Sequence, residues 1–141
     1  MKRTLILAIA VFALIALSLG YRAYQPPKTA QTGETGNPIV SVSVPVLNAA
    51  AREGEGMFNA KCATCHGKNA AGQEGVAPPL VHVIYEPNHH ADLSFRRAIQ
   101  SGVRQHHWPF GDMPPVADVT SDEAQKIIGY VRSLQKANGI F

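Results

Sequence analysis

The sequence has little cysteine and little net charge, and both shortages exclude classes of protein. Two cysteines in 141 residues cannot form a framework of several disulfides, so a small exported domain of this composition needs another stabilising element. The formal net charge is +3, and it falls to +1 over residues 21–141 when Lys2 and Arg3 are set aside. So small a positive excess argues against a nucleic-acid-binding surface.

The sequence also lacks an internal repeat and a heptad pattern, which excludes a collagen-like or coiled-coil rod. Because 45% of its residues are hydrophobic, wholesale disorder is excluded as well. A length of 141 residues fits one small domain with appendages rather than a two-domain enzyme.

The first 24 residues have the pattern of an export signal. Lys2 and Arg3 precede an uncharged apolar run over residues 4–20, whose length lies between that of a cleavable signal and that of a spanning helix. Small residues before Tyr21 suit cleavage near Gly20, whereas the aromatic and basic residues that follow suit a retained anchor. Residues 1–24 are therefore interpreted as a signal peptide or membrane anchor.

A linker and one domain follow. Residues 25–46 are rich in proline and glycine at first and have too few apolar side chains to order themselves, so they are interpreted as a tether. Alternating valines near its end are compatible with a short extended segment, which Pro45 restricts to an edge or to plain linker. Residues 47–141 form the predicted domain.

The segment Cys62-Ala63-Thr64-Cys65-His66 is the C-x-x-C-H pattern of covalent haem c attachment. Two thiols three positions apart on a helical turn point to the same side, where each is able to form a thioether, and the next residue supplies an imidazole for the iron. A thioredoxin-like pair lacks its βαβ frame. A zinc site lacks a second ligand pair, and a disulfide across so small a loop stabilises little.

Helix signals flank this motif on both sides. Asn48 is a plausible N-cap for a helix through about Ala60. Thr120 begins a T-x-x-E capping box ahead of a long apolar stripe, which Asn138-Gly139 ends. Asp92 is predicted to cap a third helix that ends at Gly102.

With these residues in place, the chain from about Leu47 to Phe141 resembles a bacterial monohaem class I cytochrome c. The resemblance implies an all-α fold of three to four short helices around one covalent haem c. Met113, in Gly-Asp-Met-Pro-Pro, resembles the family's distal ligand loop, so the implied iron ligands are His66 and Met113. Met57 lies on the helix before the cysteines and is a poor alternative.

Two further residues follow from the same resemblance. Ala77-Pro78-Pro79-Leu80 is similar to the family's G-P-x-L segment, whose proline carbonyl accepts a hydrogen bond from the proximal histidine and so orients it. Gly54 and Tyr130 match the close crossing of the family's first and last helices.

The function that the resemblance implies is electron transfer by an iron that cycles between Fe(III) and Fe(II), in an electron carrier rather than an enzyme. An unidentified periplasmic or membrane redox partner is expected, and the chain is compatible with a subunit of a larger oxidoreductase. We expect the domain on the periplasmic side of a bacterial inner membrane, anchored by residues 4–20 or released. The alternative is a haem enzyme or gas sensor with a labile sixth ligand.

The middle of the chain is rich in histidine. Three interpretations stay open: a bis-histidine haem, a second metal such as copper in a metal-binding module, and ordinary surface or haem-edge histidines. Adjacent histidines diverge on a helix and alternate on a strand, which disfavours a shared metal. The residues concerned are His82, His89, His90, His106 and His107.

Trp108 and Arg104 precede Met113 closely in the sequence. Their N–H groups are suited to hydrogen bonding a haem propionate, which would offset the cost of burying its negative charge. This hypothesis depends on sequence proximity alone.

Overall fold

The computed structural model describes residues 36–141. The predicted leader, residues 1–24, and the linker up to residue 35 lie outside the described residues. Within the described part of the chain, no helix combines the length and the apolar character that crossing a membrane requires.

Four α-helices form the described domain. They are α1 (Ala49–Lys61), α2 (Ala63–His66), α3 (Asp92–Ser101) and α4 (Ser121–Ala137), with short 3₁₀ turns at Lys68–Ala70 and Val83–Tyr85. Residues 36–141 contain no strand and only two isolated β-bridges, Gln73–Ala77 and Val103–Met113. The all-α prediction is confirmed.

The helix starts depend on side-chain caps. Asn48 Oδ1 accepts a hydrogen bond from the backbone N–H of Ala51 at 2.8 Å, and the N–H of Glu123 donates to Thr120 Oγ1 at 3.3 Å. The Thr120 N–H in turn donates to the Glu123 carboxylate at 2.8 Å, which completes the capping box. Both predicted starts are confirmed.

The predicted cap of the third helix is wrong by one residue. Ala91 is the N-cap and Asp92 is the first helical residue. The Asp92 carboxylate accepts a hydrogen bond from Arg132 Nε at 2.9 Å, so it ties α3 to α4 instead of capping its own helix. A negative charge in a first turn is still favourable, because the helix dipole is positive there.

Helices α1 and α4 cross at close range, and the crossing requires glycine. A Cβ atom on Gly54 would lie 2.0 Å from the backbone oxygen of Lys126 and 3.1 Å from Tyr130 Cβ. One turn along α1, the Phe58 ring packs against the Tyr130 ring with centroids 5.5 Å apart, and both side chains are fully buried. The predicted packing of Tyr130 against Gly54 is confirmed.

Side chains of α4 also hold the loop that precedes α3. Arg132 Nη1 donates to the carbonyl of Tyr85 at 2.7 Å, and its Nη2 donates to the carbonyl of His90. Gln135 Nε2 donates to the carbonyl of Leu80 at 2.7 Å. Residues 80–90 are therefore fixed to the last helix, and they form one wall of the cavity described next.

Candidate functional site

The two cysteines lie on one turn of helix beside a cavity. Cys62 ends α1, and α2 carries Cys65 and His66. Both cysteines are free thiols, Cys62 half-buried and Cys65 exposed. Burial raises the pKa of Cys62 to about 11, so this thiol is protonated at neutral pH.

His66 is buried, with 8% of its surface exposed. Its Nδ1 lies 2.9 Å from the carbonyl oxygen of Pro78, the contact that the resemblance implies. A carbonyl only accepts hydrogen bonds, so Nδ1 carries the proton and Nε2 presents a lone pair. Burial lowers the pKa of His66, while the hydrogen bond to Pro78 acts in the opposite direction. The ring is thus neutral and oriented so that Nε2 is available to a metal.

Gln73 fixes the turn that carries the cysteines. Its side chain is 4% exposed, and Nε2 donates to the carbonyls of Thr64 at 2.7 Å and Cys65 at 2.9 Å. These carbonyls lie at the C-terminal end of α2, where intrahelical partners are lacking. Sequence reasoning missed Gln73, because a single glutamine eight residues after Cys65 forms no pattern.

A cavity of about 440 Å³ opens beside the cysteine turn, within the range of roughly 300–1,000 Å³ that small-molecule and cofactor sites occupy. It brings together six of the seven site residues predicted from the sequence: Cys62, Cys65, His66, Pro78, Trp108 and Met113. The rest of its lining is largely apolar and includes Phe58, Leu80, Phe95, Ile99, Val103 and Val131.

Met113 is held by a short backbone pairing. Its N–H and carbonyl exchange hydrogen bonds of 2.9 Å with those of Val103. Gly102 makes the close approach possible, since a Cβ there would lie 2.4 Å from the Met113 oxygen and its φ is +73°. Met57, in contrast, packs against the hydrophobic core from α1.

Trp108 brings a polar atom into the cavity wall. Its Nε1 is buried and has no hydrogen-bond partner in the described part of the chain. The Tyr85 hydroxyl is affected by this group electrostatically but is not its hydrogen-bond partner. Burial raises the Tyr85 pKa to about 12, and the indole N–H partly opposes this rise. A buried N–H without an acceptor is costly, so it indicates an absent partner such as a carboxylate.

The structure does not bring Arg104 to the cavity. Arg104 is exposed, while its neighbours Val103 and Gln105 both line the cavity. Side chains alternate along an extended segment, so the residue between these two points away. Arg97 of α3 lines the cavity instead, and sequence proximity to Met113 gave no indication of it.

The histidines lie in loops around the same region. His90, His106 and His107 line the cavity. His82 Nδ1 accepts a hydrogen bond from the Ile84 N–H at 3.2 Å, and its ring packs on Trp108 with centroids 5.2 Å apart.

The residues of the cavity fit haem c. Two thiols share its wall with a buried imidazole whose Nε2 is available, and a methionine thioether lies in the same lining. The apolar walls suit a flat ring, and the unpartnered indole N–H of Trp108 suits a propionate. Cys62 and Cys65 would hold the ring and His66 would bind its iron.

The comparisons agree with this geometry. The family model described as Cytochrome c matches residues 51–135, which include the cysteine turn, Met113 and most of α1 and α4. No curated protein and no solved structure matches the chain. The chain belongs to the cytochrome c family and is a haem electron-transfer protein whose covalently bound cofactor is haem c.

Proposed function

We propose that this cytochrome carries single electrons with His66 and Met113 as the two axial ligands of its iron. The observation that supports the proposal is that Cys62, Cys65, His66 and Met113 line one cavity. Bound haem c supplies the Fe(III)/Fe(II) couple, and a histidine–methionine pair raises its reduction potential.

The chain holds both proposed ligands in place. The Pro78 carbonyl orients the His66 ring, and the Val103 pairing fixes the backbone of Met113. Two fixed ligands leave no position for a substrate on the iron. This arrangement favours an electron carrier over an enzyme or a gas sensor.

The near-infrared spectrum of the oxidised protein tests the ligand assignment. We expect the weak methionine-to-Fe(III) band in the wild type, its loss in Met113→Ala, and its retention in the control Met57→Leu. The ferrous wild type should not respond to CO, whereas Met113→Ala should bind it. A haem spectrum without the band, or rapid CO binding by the wild type, would overturn the assignment in favour of another sixth ligand or an open site.

We also propose that the domain works on the periplasmic side of a bacterial inner membrane and exchanges electrons with a redox partner there. The basic and apolar pattern of residues 1–20 supports export, and the exposure of Cys65 supports access to the nearby cofactor edge. Lys68, three residues after Cys65, is exposed and is suited to steering an acidic partner.

The intact mass of haem-loaded protein from fractionated cells tests this placement. A full-length chain in the membrane fraction indicates an anchor, and a chain lacking about 20 residues in the periplasm indicates cleavage. Both outcomes support export. Haem-free, full-length chain confined to the cytoplasm would contradict it.

A further inference from the structure

Four histidines from two separate loops meet at the rim of the cavity, and we call them the histidine cluster: His89, His90, His106 and His107. Ring centroids of His89 and His107 are 5.3 Å apart, and those of His90 and His107 are 5.2 Å apart. Ligand nitrogens of His89, His90 and His107 all lie within 4.8 Å of one another. Three imidazoles therefore converge on one point.

The hydrogen bonding of the cluster prepares its nitrogens for a metal. His90 Nδ1 lies 2.6 Å from the carbonyl oxygen of Ile84, and His106 Nδ1 lies 2.8 Å from that of Arg104. Since a carbonyl only accepts, each neutral ring is protonated at Nδ1 and presents the Nε2 lone pair. Metal-binding histidines usually have this arrangement, in which the second ring nitrogen donates to a backbone carbonyl or carboxylate.

The backbones of both loops are held by hydrogen bonds. The N–H groups of His89 and His90 donate to the carbonyl of Glu86 at 3.1 and 2.8 Å. In the second loop, the Gln105 N–H donates to Asp112 Oδ1 at 2.8 Å, and the Gly111 N–H donates to Gln105 Oε1 at 2.9 Å. The histidines are thus presented from fixed positions, which reduces the entropic cost of binding an ion.

We propose that His89, His90 and His107 bind one divalent transition-metal ion of the class that prefers imidazole: Zn²⁺, Cu²⁺ or Ni²⁺. Metal–nitrogen bonds of about 2.0–2.1 Å place the nitrogens of a tetrahedral site about 3.4 Å apart. Because the nitrogens lie within 4.8 Å of one another, the exposed rings of His89 and His107 need to close by no more than about 1.5 Å to reach this spacing. Water or His106 completes the coordination.

This site is separate from the proposed axial ligands. It is built from imidazoles at the rim, whereas His66 and Met113 lie on the two segments that frame the cavity. His90 and His107 also line the cavity, so a bound ion would add positive charge beside the haem site.

Calorimetric titration of tag-free, haem-loaded protein with Zn²⁺, after treatment with EDTA and buffer exchange, tests the proposal. We expect saturable binding of one Zn²⁺ per chain, with an affinity at least about tenfold lower in His89→Asn and in His107→Asn, because even outer-shell changes commonly cost that much. The control is His82→Asn. It removes a histidine outside the cluster but keeps a side-chain oxygen able to accept from the Ile84 N–H, and it should bind Zn²⁺ as the wild type does.

Three results would overturn the proposal: no saturable binding, more than one equivalent of comparable affinity, or unchanged affinity in the His89→Asn/His107→Asn double variant. The optical spectrum of each variant shows whether haem c and its axial ligands are intact. Failure of the metal site would therefore be distinguishable from failure of the proposed axial ligation.

Discussion

Trp108 has a buried Nε1–H group with no hydrogen-bond partner in the described part of the chain. If it donates to a haem propionate, Trp108→Phe would leave the full negative charge of that group near the iron. Negative charge favours Fe(III), so we expect a lower reduction potential in the variant, measured by redox titration. The near-infrared band of the ferric form should persist. An unchanged potential would contradict the role.

Gln73 offers a second test at the same scale. Gln73→Leu removes the donor of the Thr64 and Cys65 carbonyls and places an apolar side chain against these partly buried acceptors, which costs about 1–3 kcal/mol. We expect that loss in the free energy of unfolding of the haem-loaded protein, measured in guanidinium chloride. Gln100→Leu, on the exposed surface of α3, is the control and should change it by no more than about 0.5 kcal/mol. Equal losses of unfolding free energy in the two variants would show that the hydrogen bonds of Gln73 do not stabilise the fold.

The site residues differ in how well their roles could be predicted from the sequence. Cys62, Cys65 and His66 form a local motif, and their resemblance to a family pointed to Pro78 and Met113. Gln73 and Arg97 reach the site only through tertiary structure, and the histidine cluster joins two loops that are distant in sequence. Adjacent histidines diverge on regular helices and strands, but the two histidine pairs of the cluster lie in loops.

At the scale of the helices, the close crossing of α1 and α4 predicts that a side chain at Gly54 lowers the stability of the fold. Gly54→Ala places a Cβ atom 2.0 Å from the Lys126 backbone oxygen, so the helices must separate. Overpacking of this kind costs about 1–3 kcal/mol or more. We expect a loss at the upper end of this range in guanidinium unfolding of the haem-loaded protein.

Gly56→Ala is the matched control, because it lies on the same helix and no atom comes within 4 Å of its added Cβ. Alanine is the better helix former, so this variant should gain about 0.5–1 kcal/mol. A gain in both variants would show that the crossing tolerates a side chain.

Most of the helical structure could be predicted from the sequence. Asn48 and the Thr120 capping box are local signals, and they marked the starts of α1 and α4 correctly. Asp92 has the same local appearance, but a side chain from α4 binds its carboxylate and Ala91 takes the cap position. The sequence of α3 alone contains no signal of such a long-range contact.

For the molecule as a whole, the cavity makes folding depend on the cofactor. A Cys62→Ser/Cys65→Ser chain produced without haem would have to keep about 440 Å³ empty or filled with water. Without the ring, the apolar side chains that line this space would face water, and a domain of this size has little other core to offset that loss. We expect no cooperative thermal transition and weak near-UV circular dichroism. A sharp transition in the haem-free chain would contradict this dependence.

The contacts of Arg132 and Gln135 with residues 80–90 also mean that this wall of the cavity forms only after the last helix has been made. Cys62 and Cys65 leave the ribosome well before α4, the element that secures this wall of the cavity. A chain exported with its N-terminus first would likewise present its two thiols before this wall is complete, and so open to attachment of the ring. Docking of the last helix then secures this wall around the attached ring.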